Sequence, residues 1–418
     1  MSQSVMALRV VSGLHLQQLR RVADGLVIAV AVSLPWSTSA TSTLVVLWLL
    51  AVLPTLSLAE LRVALATRAG ALPVLLVIVA ALGMLWADVS WAERADGLSA
   101  FAKLAVIPLL IAQFRRSHWG QWVANAFLAS SALLLFASWT LVLLGIHVTG
   151  KNPGVPVKDY ISQGAVFTIC MFALLDFAHA DWKGGRWRRS AVLALSGLLF
   201  LVNMLYVVTS RTALVVIPIL SLLFCLTRIG WKKSAWILAA GILVIVAAYA
   251  SSPYLRDRVT HPFVLLGTDG NPTSSGERMA FWTMSVRAIG AAPVIGHGTG
   301  SIKDTFLRQG SDTAVNPHNQ LFAVGIQLGV VGIAVLIAMW AAHWLLFLNS
   351  SFAGWFGLVV VTQNMVSSLF NSHVSDFTHG WIYVFGVGVA AGLVLRRAQK
   401  RAVIGARNDR ETEAVVAR

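Results

Sequence analysis

The chain has 418 residues, 57% of them hydrophobic and only 12% charged, and its mean hydropathy is +0.75. A water-soluble core of this length cannot bury so much apolar surface, which excludes a soluble globular protein. The formal net charge of +15 is therefore a question of topology before it is one of anionic partners.

Apolar runs of roughly 17 to 25 residues, long enough to cross ~30 Å of hydrocarbon as helix, recur along the whole chain. About twelve spans are expected by that criterion, centred near Val30, Leu49, Ile78, Val106, Leu135, Thr168, Leu199, Ile217, Val244, Ile333, Leu358 and Val387. The runs lack the period-2 alternation of a barrel, so the expected fold is an all-α polytopic membrane protein. Spans one to nine occupy residues 1–250, a large loop 251–316, spans ten to twelve 317–395, and a basic tail 396–418. The first run is not followed by a small-residue cleavage pattern and reads as a retained span rather than a signal peptide.

Orientation follows from the basic residues. With the N-terminus inside, the inner loops carry Arg9, Arg20, Arg21, Arg62, Arg68, Arg115, Arg116, Lys183, Arg186, Arg188, Arg189, Arg228, Lys232 and Lys233. The tail adds Arg396, Arg397, Lys400, Arg401, Arg407, Arg410 and Arg418. The short outer loops carry only Arg94, Lys151, Lys158 and Arg211. This bias predicts both termini in the cytoplasm and a tail resting on anionic headgroups, and it accounts for the net charge without a nucleic-acid partner. The two cysteines, Cys170 and Cys225, fall inside predicted spans far apart in sequence and imply neither a disulfide framework nor a metal site.

Several polar residues stand out in chain order. Lys103 sits near the outer end of the fourth span, where a snorkelling lysine is the ordinary use. Asp176 lies toward the inner end of its span and reads as structural. Arg211, in Thr209-Ser210-Arg211-Thr212-Ala213, is flanked tightly by apolar helix; an arginine there must be paired or solvated. It either snorkels or uses its planar fork to grip phosphate oxygens.

The long polar interruption from about Ser251 to Asn316 is expected on the outer side. Ser252-Pro253-Tyr254 and the stretch Gly267 to Gly276 read as irregular loop. Glu277 to Ile289 reads as a short amphipathic helix lying along the surface. Arg278, at its start, is either a surface ion-pair partner or an anion ligand. Gly296-His297-Gly298-Thr299-Gly300-Ser301 has alternate glycines, but no strand precedes it and no Gly-Lys-Ser/Thr follows, so a tight turn is expected rather than a phosphate loop. Six basic residues face five acidic ones across this loop. An anion would therefore meet particular arginines, not a general positive field.

Asn316-Pro317-His318-Asn319 stands at the foot of the next apolar helix. Asn316 is expected as N-cap and Pro317 at the first helical position. A histidine in that first turn is kept neutral by the helix dipole and can accept a proton; the alternative is a capping or interfacial histidine. Beyond it, His373, Asp376 and His379 share an outer loop, expected as a partly hydrated turn although the spacing would permit a metal. The aromatic residues, including 16 Trp, fit interfacial belts.

Thr209-Ser210-Arg211-Thr212-Ala213-Leu214, Gly276-Glu277-Arg278 with Trp282, Pro293-Val294-Ile295-Gly296-His297-Gly298, and Pro317-His318-Asn319 with Leu328-Gly329 and Gly332 resemble the successive blocks of the O-antigen ligase and polymerase superfamily. Size, span count and the single large outer loop agree with the lipopolysaccharide O-antigen ligases. The resemblance covers about residues 200 to 335 at motif level and the first half by hydropathy alone. Gln327 stands where many relatives show Glu, so no carboxylate role is assigned there.

The resemblance implies an inverting, metal-independent glycosyltransferase of the GT-C type in the bacterial inner membrane, needing no cofactor. It would move a glycan from undecaprenyl diphosphate to the lipid A-core oligosaccharide on the periplasmic face. His318 would be the base, supported by Asn319, while Arg211 and Arg278 hold the diphosphate with Lys103 as helper. The residues are compatible with this, because an inverting transfer needs a base on the acceptor hydroxyl and stabilisation of the departing diphosphate, without a carboxylate nucleophile. No Asp-x-Asp pair is present to carry a divalent ion. An O-antigen polymerase shares the same blocks, and protein O-oligosaccharyltransferases usually carry additional C-terminal sequence. A secondary transporter or lipid flippase also fits twelve spans, but the unusual polar residues gather on one face, and no matched pair of Gly/Pro-broken helices is evident.

Overall fold

The computed structural model describes residues 3–260 and 273–416. The part of the expected irregular stretch from Gly267 to residue 272 therefore lies outside the described residues, as does Arg418. Among the described residues there are seventeen α-helices and no strand. The first seven are α1 (Gln3–Ser33), α2 (Thr38–Val52), α3 (Leu58–Leu65), α4 (Arg68–Gly83), α5 (Trp91–Ala102), α6 (Val106–Arg116) and α7 (Gly120–Leu143). Then come α8 (Tyr160–Lys183), α9 (Trp187–Tyr206), α10 (Arg211–Phe224) and α11 (Trp231–Ser251). The large loop contributes α12 (Pro253–Thr260), α13 (Ser274–Ala291) and α14 (Ile302–Leu307), and the chain closes with α15 (Gln320–Phe347), α16 (Phe352–Ser367) and α17 (Phe377–Val416).

Each expected span centre falls on one of these helices, but fewer runs meet the requirements of a full crossing. Among the described residues eight are long and apolar enough, or nine if α3 and α4, bent by 89°, count as one broken span. The chain is a polytopic, all-α membrane protein, and its described residues carry eight to nine candidate spans where about twelve were expected. The shortfall has visible causes. α1 carries His15, Arg20, Arg21 and Asp24 along its length, and α16 has only 16 residues.

Local chemistry explains the breaks. The turn between α3 and α4 is set by caps at both helix starts: Ser57 and Glu60 form a reciprocal capping box, and the Thr67 side chain accepts from the Gly70 N–H. The fourth span breaks into α5 and α6 at Lys103–Ala105, because Pro108 cannot donate to the carbonyl four residues earlier. The segment Ser252-Pro253-Tyr254, expected as loop, instead starts α12. Proline suits a first helical turn, and Ser252 Oγ accepts the Leu255 N–H at 3.1 Å. The basic tail is not a separate segment either, since α17 continues through it as helix to Val416.

Charged side chains sort to the two ends of the bundle. At one end Arg116 meets Glu60 at 3.0 Å, and Arg186 and Arg189 meet Asp181 at 2.6 and 3.0 Å. Arg228 meets Asp176 at 2.9 Å at this end, which gives Asp176 the structural use expected of it. Cys170 and Cys225 are buried free thiols. Lys103, Lys158, Arg211 and His318 lie at the opposite end, where the large loop also sits.

The glycine-rich turn is spliced into α15. Gly329, at φ 60° and ψ −157°, breaks that helix, which should leave the Ile326 and Gln327 carbonyls without their donors four residues on. Those carbonyls instead accept from the His297 and Gly298 N–H groups at 2.8 and 2.9 Å, while the displaced Val330 and Val331 N–H groups donate to the Pro293 and Val294 carbonyls at 2.8 and 3.2 Å. All four backbone groups are thus satisfied by one segment. Gly298 sits at φ 92°, and a Cβ there would meet the Ala87 Cα at 2.5 Å. The alternating glycines therefore serve a tight, closely approached turn. Gln327 completes it, with Oε1 accepting from the Gly300 N–H at 2.8 Å and Nε2 donating to the Ala323 carbonyl at 2.8 Å.

Candidate active site

The surface helix expected over Glu277 to Ile289 is α13, which begins earlier than foreseen because Thr273 Oγ1 accepts from the N–H groups of Ser275 and Gly276. Its apolar face, with Phe281, Met284 and Ile289, packs on Phe306, Ala314 and Ile326. The helix lies against α14 and the outer start of α15, and its first turn carries Glu277 and Arg278.

His318 lies one residue before the helix cap, not within the first turn. Asn319 is the N-cap, its side chain accepting from the Leu321 and Phe322 N–H groups at 2.9 and 3.3 Å. Asn316, expected in that role, instead accepts from the His318 N–H at 2.9 Å and from Ser372 Oγ at 2.7 Å. The first of these bonds holds His318 at φ 52°, a left-handed conformation that costs an L-residue roughly 1–2 kcal/mol and is often retained at functional positions. Asn319 also donates to the Leu369 carbonyl at 3.1 Å, so its support is architectural.

The imidazole is half-buried and lies near the Phe281 ring, 6.2 Å between centroids at 21°. Its Nδ1 is 3.1 Å from Asn371 Oδ1. The same Oδ1 accepts the Ser372 backbone N–H at 2.9 Å. A backbone N–H can only donate, which identifies the amide atom facing His318 as oxygen, so Nδ1 must carry the proton in this contact. The lone pair is then on Nε2, to which no described residue hydrogen-bonds. Burial holds the imidazole below its ordinary pKa, and the Arg278 charge adds to this, while the Asn371 bond and Glu277 pull the other way. Neutrality, expected from a helix dipole, thus arises from burial and a cation.

Arg278 links the sequence-predicted residues. It is half-buried, and that burial lowers its pKa; Tyr160 opposes the shift and the nearby Arg211 charge adds to it. It also bears on His318 and on His373. Arg211 opens α10, with a guanidinium nitrogen 3.5 Å from Ser275 Oγ in the first turn of α13. Arg211, Arg278 and His318 therefore share one neighbourhood at one end of the bundle, assembled from α10, α13 and the approach to α15.

Lys103 has a different setting. Its Nζ donates to the Ser375 and Asp376 carbonyls at 2.9 and 2.7 Å, which ties it to the 368–376 loop between α16 and α17. The same loop is clasped by Gln320: its backbone N–H donates to the Ser368 carbonyl at 2.8 Å, and its Oε1 accepts from the Val374 and Ser375 N–H groups at 2.9 and 3.2 Å. Asn371, Ser372 and Gln320 were not singled out from sequence. Asparagine and serine in an outer turn carry no signal that they will meet a residue more than fifty positions away.

His373, Asp376 and His379 do not form the metal set their spacing would permit; among the described residues no three potential ligands converge. Asp376 Oδ1 and His379 Nδ1 are 2.8 Å apart, and His373 Nδ1 turns to Ser367 Oγ at 3.1 Å. Burial opposes ionisation of Asp376, but His379 outweighs it and holds the carboxyl well below the usual range. Burial, with His379 and Arg278, pushes His373 well down. Two adjoining small cavities of about 10 Å³ each share Gln363, Ser367 and His373 and extend from His379 to Ser210 and Thr212. A wider outer cleft, about 390 Å³, lies along α13 and is lined by Asp88, Arg287, His297, Asp304, Arg308 and Gln309.

A search of curated proteins finds no match to the chain. The segment that carries Arg211, Arg278, the spliced turn and His318 nevertheless has a match: residues 194–337 match the family model described as O-Antigen ligase.

Proposed function

We propose that the protein is an O-antigen ligase, an inverting and metal-independent glycosyltransferase acting at the periplasmic face of the bacterial inner membrane. The donor is a glycan on undecaprenyl diphosphate and the acceptor a sugar hydroxyl of the lipid A-core oligosaccharide. The observation that carries this reading is the convergence of Arg211, Arg278 and a neutral imidazole with an open Nε2. In the transfer, the acceptor oxygen attacks the anomeric carbon as the bond from that carbon to the diphosphate oxygen breaks. The hydroxyl proton passes to His318 Nε2. The charge developing on the leaving diphosphate is met by two guanidinium forks, whose planar donors suit paired phosphate oxygens. Half-burial of both groups strengthens those contacts relative to water. The outer cleft along α13 offers Asp88, Arg287, Asp304, Arg308 and Gln309 as groups that a glycan would hydrogen-bond.

Reconstitution of the purified protein with lipid-linked glycan tests this directly. Transfer is expected to lipid A-core and not to a second lipid-linked glycan, and to persist in chelator. Elongation of the lipid-linked glycan alone would make the protein a polymerase, the second reading that the family match supports. His318→Ala is expected to abolish transfer while leaving the protein in the membrane.

A further inference from the structure

The geometry points to Asn371 as a positioning residue that selects the His318 tautomer, with the 368–376 loop as the rigid frame that holds it. The inference rests on the base role proposed above and extends it to a residue outside the matched family segment, which ends at position 337.

Three observations support it. First, the Asn371 amide is oriented by a bond that cannot be reversed: its Oδ1 accepts the Ser372 N–H, so an oxygen and not an NH₂ group faces Nδ1. A flipped amide would donate to Nδ1, place the proton on Nε2 and remove the only lone pair directed away from the loop. Second, the loop is bolted to the base from both sides. Asn316 takes bonds from the His318 N–H and from Ser372 Oγ, so one side chain fixes the backbone of the base and the neighbour of its partner. Third, the far end of the loop is anchored by Lys103 and Gln320: Lys103 Nζ donates to the Ser375 and Asp376 carbonyls, while Gln320 Oε1 accepts from the Val374 and Ser375 N–H groups and its Nε2 donates to Ser375 Oγ. Lys103, on this geometry, acts on the base through the loop.

The groups facing His318 are Glu277, Arg278 and Phe281 from α13, Asn371 from the loop, and Asn316 from its own approach segment. Among them only Asn371 makes a hydrogen bond to the ring, so changing it alters the proton affinity of Nε2 with a sign set by the new side chain. Alanine removes an acceptor that favours the imidazolium and should lower that affinity. Aspartate supplies a charged acceptor and should raise it.

The test is the full-length protein in nanodiscs, carrying Asn371→Ala, Asn371→Asp or Asn371→Ser. His318 reactivity toward diethyl pyrocarbonate is followed against pH by peptide mass spectrometry, alongside kcat and KM for glycan transfer. The expected result is a labelling midpoint that falls in the alanine variant and rises by about one pH unit in the aspartate variant. With it, kcat should fall on the order of tenfold or more in the alanine variant, with KM for the donor little changed. Serine, which can still accept, should lie between alanine and the parent and decides the matter if the alanine variant does not fold. Coincident midpoints in the parent, aspartate and serine proteins would overturn the inference. If instead the midpoints move as expected but His318→Ala still transfers glycan, the positioning contact stands and the base assignment fails, so the two readings are separable.

Discussion

Trp282 Nε1 donates to the Pro317 carbonyl at 3.1 Å, and its ring meets Phe322 edge-on with 6.0 Å between centroids. The tryptophan stands one turn after Arg278 on α13, and Pro317 directly precedes His318. One side chain therefore couples the helix bearing Arg278 to the backbone next to His318. Trp282→Phe keeps most of the ring and loses the bond. It should cost about 1 kcal/mol of stability and lower kcat by several-fold, read as a shift in thermal unfolding in detergent and a turnover assay on the same preparation.

Arg211→Lys retains the charge and loses the planar fork. If paired phosphate oxygens are the ligand, kcat/KM for the lipid-linked donor should fall by on the order of tenfold or more, and Arg278→Lys should behave alike. Turnover close to the parent in both would show that positive charge alone suffices.

The pH profile carries a sign that can be worked out in advance. Burial first, and then Arg278, depress the His318 pKa, so the ring stays neutral and able to accept a proton as pH falls through the ordinary histidine value of about 6.5. The acid limb of kcat/KM should lie below that value. Arg278→Gln removes the cationic contribution and should move the limb upward, while Glu277→Gln should move it down.

The splice in α15 makes a stability prediction independent of catalysis. Gly298→Ala meets both a disfavoured φ and the Ala87 backbone, and Gly329→Ala meets a positive φ and the Val294 carbonyl at 2.3 Å. Each should cost about 2 kcal/mol or more, seen as a lower unfolding temperature in detergent. Gly310→Ala, also at positive φ but with open space around its Cβ, should cost less.

Much of this was legible in the chain. Apolar runs located the helices, and Arg211, Arg278 and His318, each picked out at a polar interruption, lie together at one end of the bundle. Other features were hidden for physical reasons. Asn316 and Asn319 are equally good caps by type, and Pro317 between them favours the wrong one; only the bond from Asn316 to the His318 N–H separates them. The partnership of His318 with Asn371 depends on how α15, α16 and α17 pack, which no local pattern encodes. Likewise, the apolar run through Gly329 looks continuous because the break is repaired by the backbone of a distant segment. Span counting overshot because short or partly charged helices complete the bundle without having the length or composition of a full crossing.

That repaired break also ties the outer loop to both halves of the helix. Ile326 and Gln327, before Gly329, accept from the loop, and Val330 and Val331, after it, donate to the same segment. Gln320 is bonded in turn to the 368–376 loop. A large amphiphile entering from the membrane would consequently meet a braced joint at Gly329 and not a hinge, because any tilt there would cost backbone bonds on both sides.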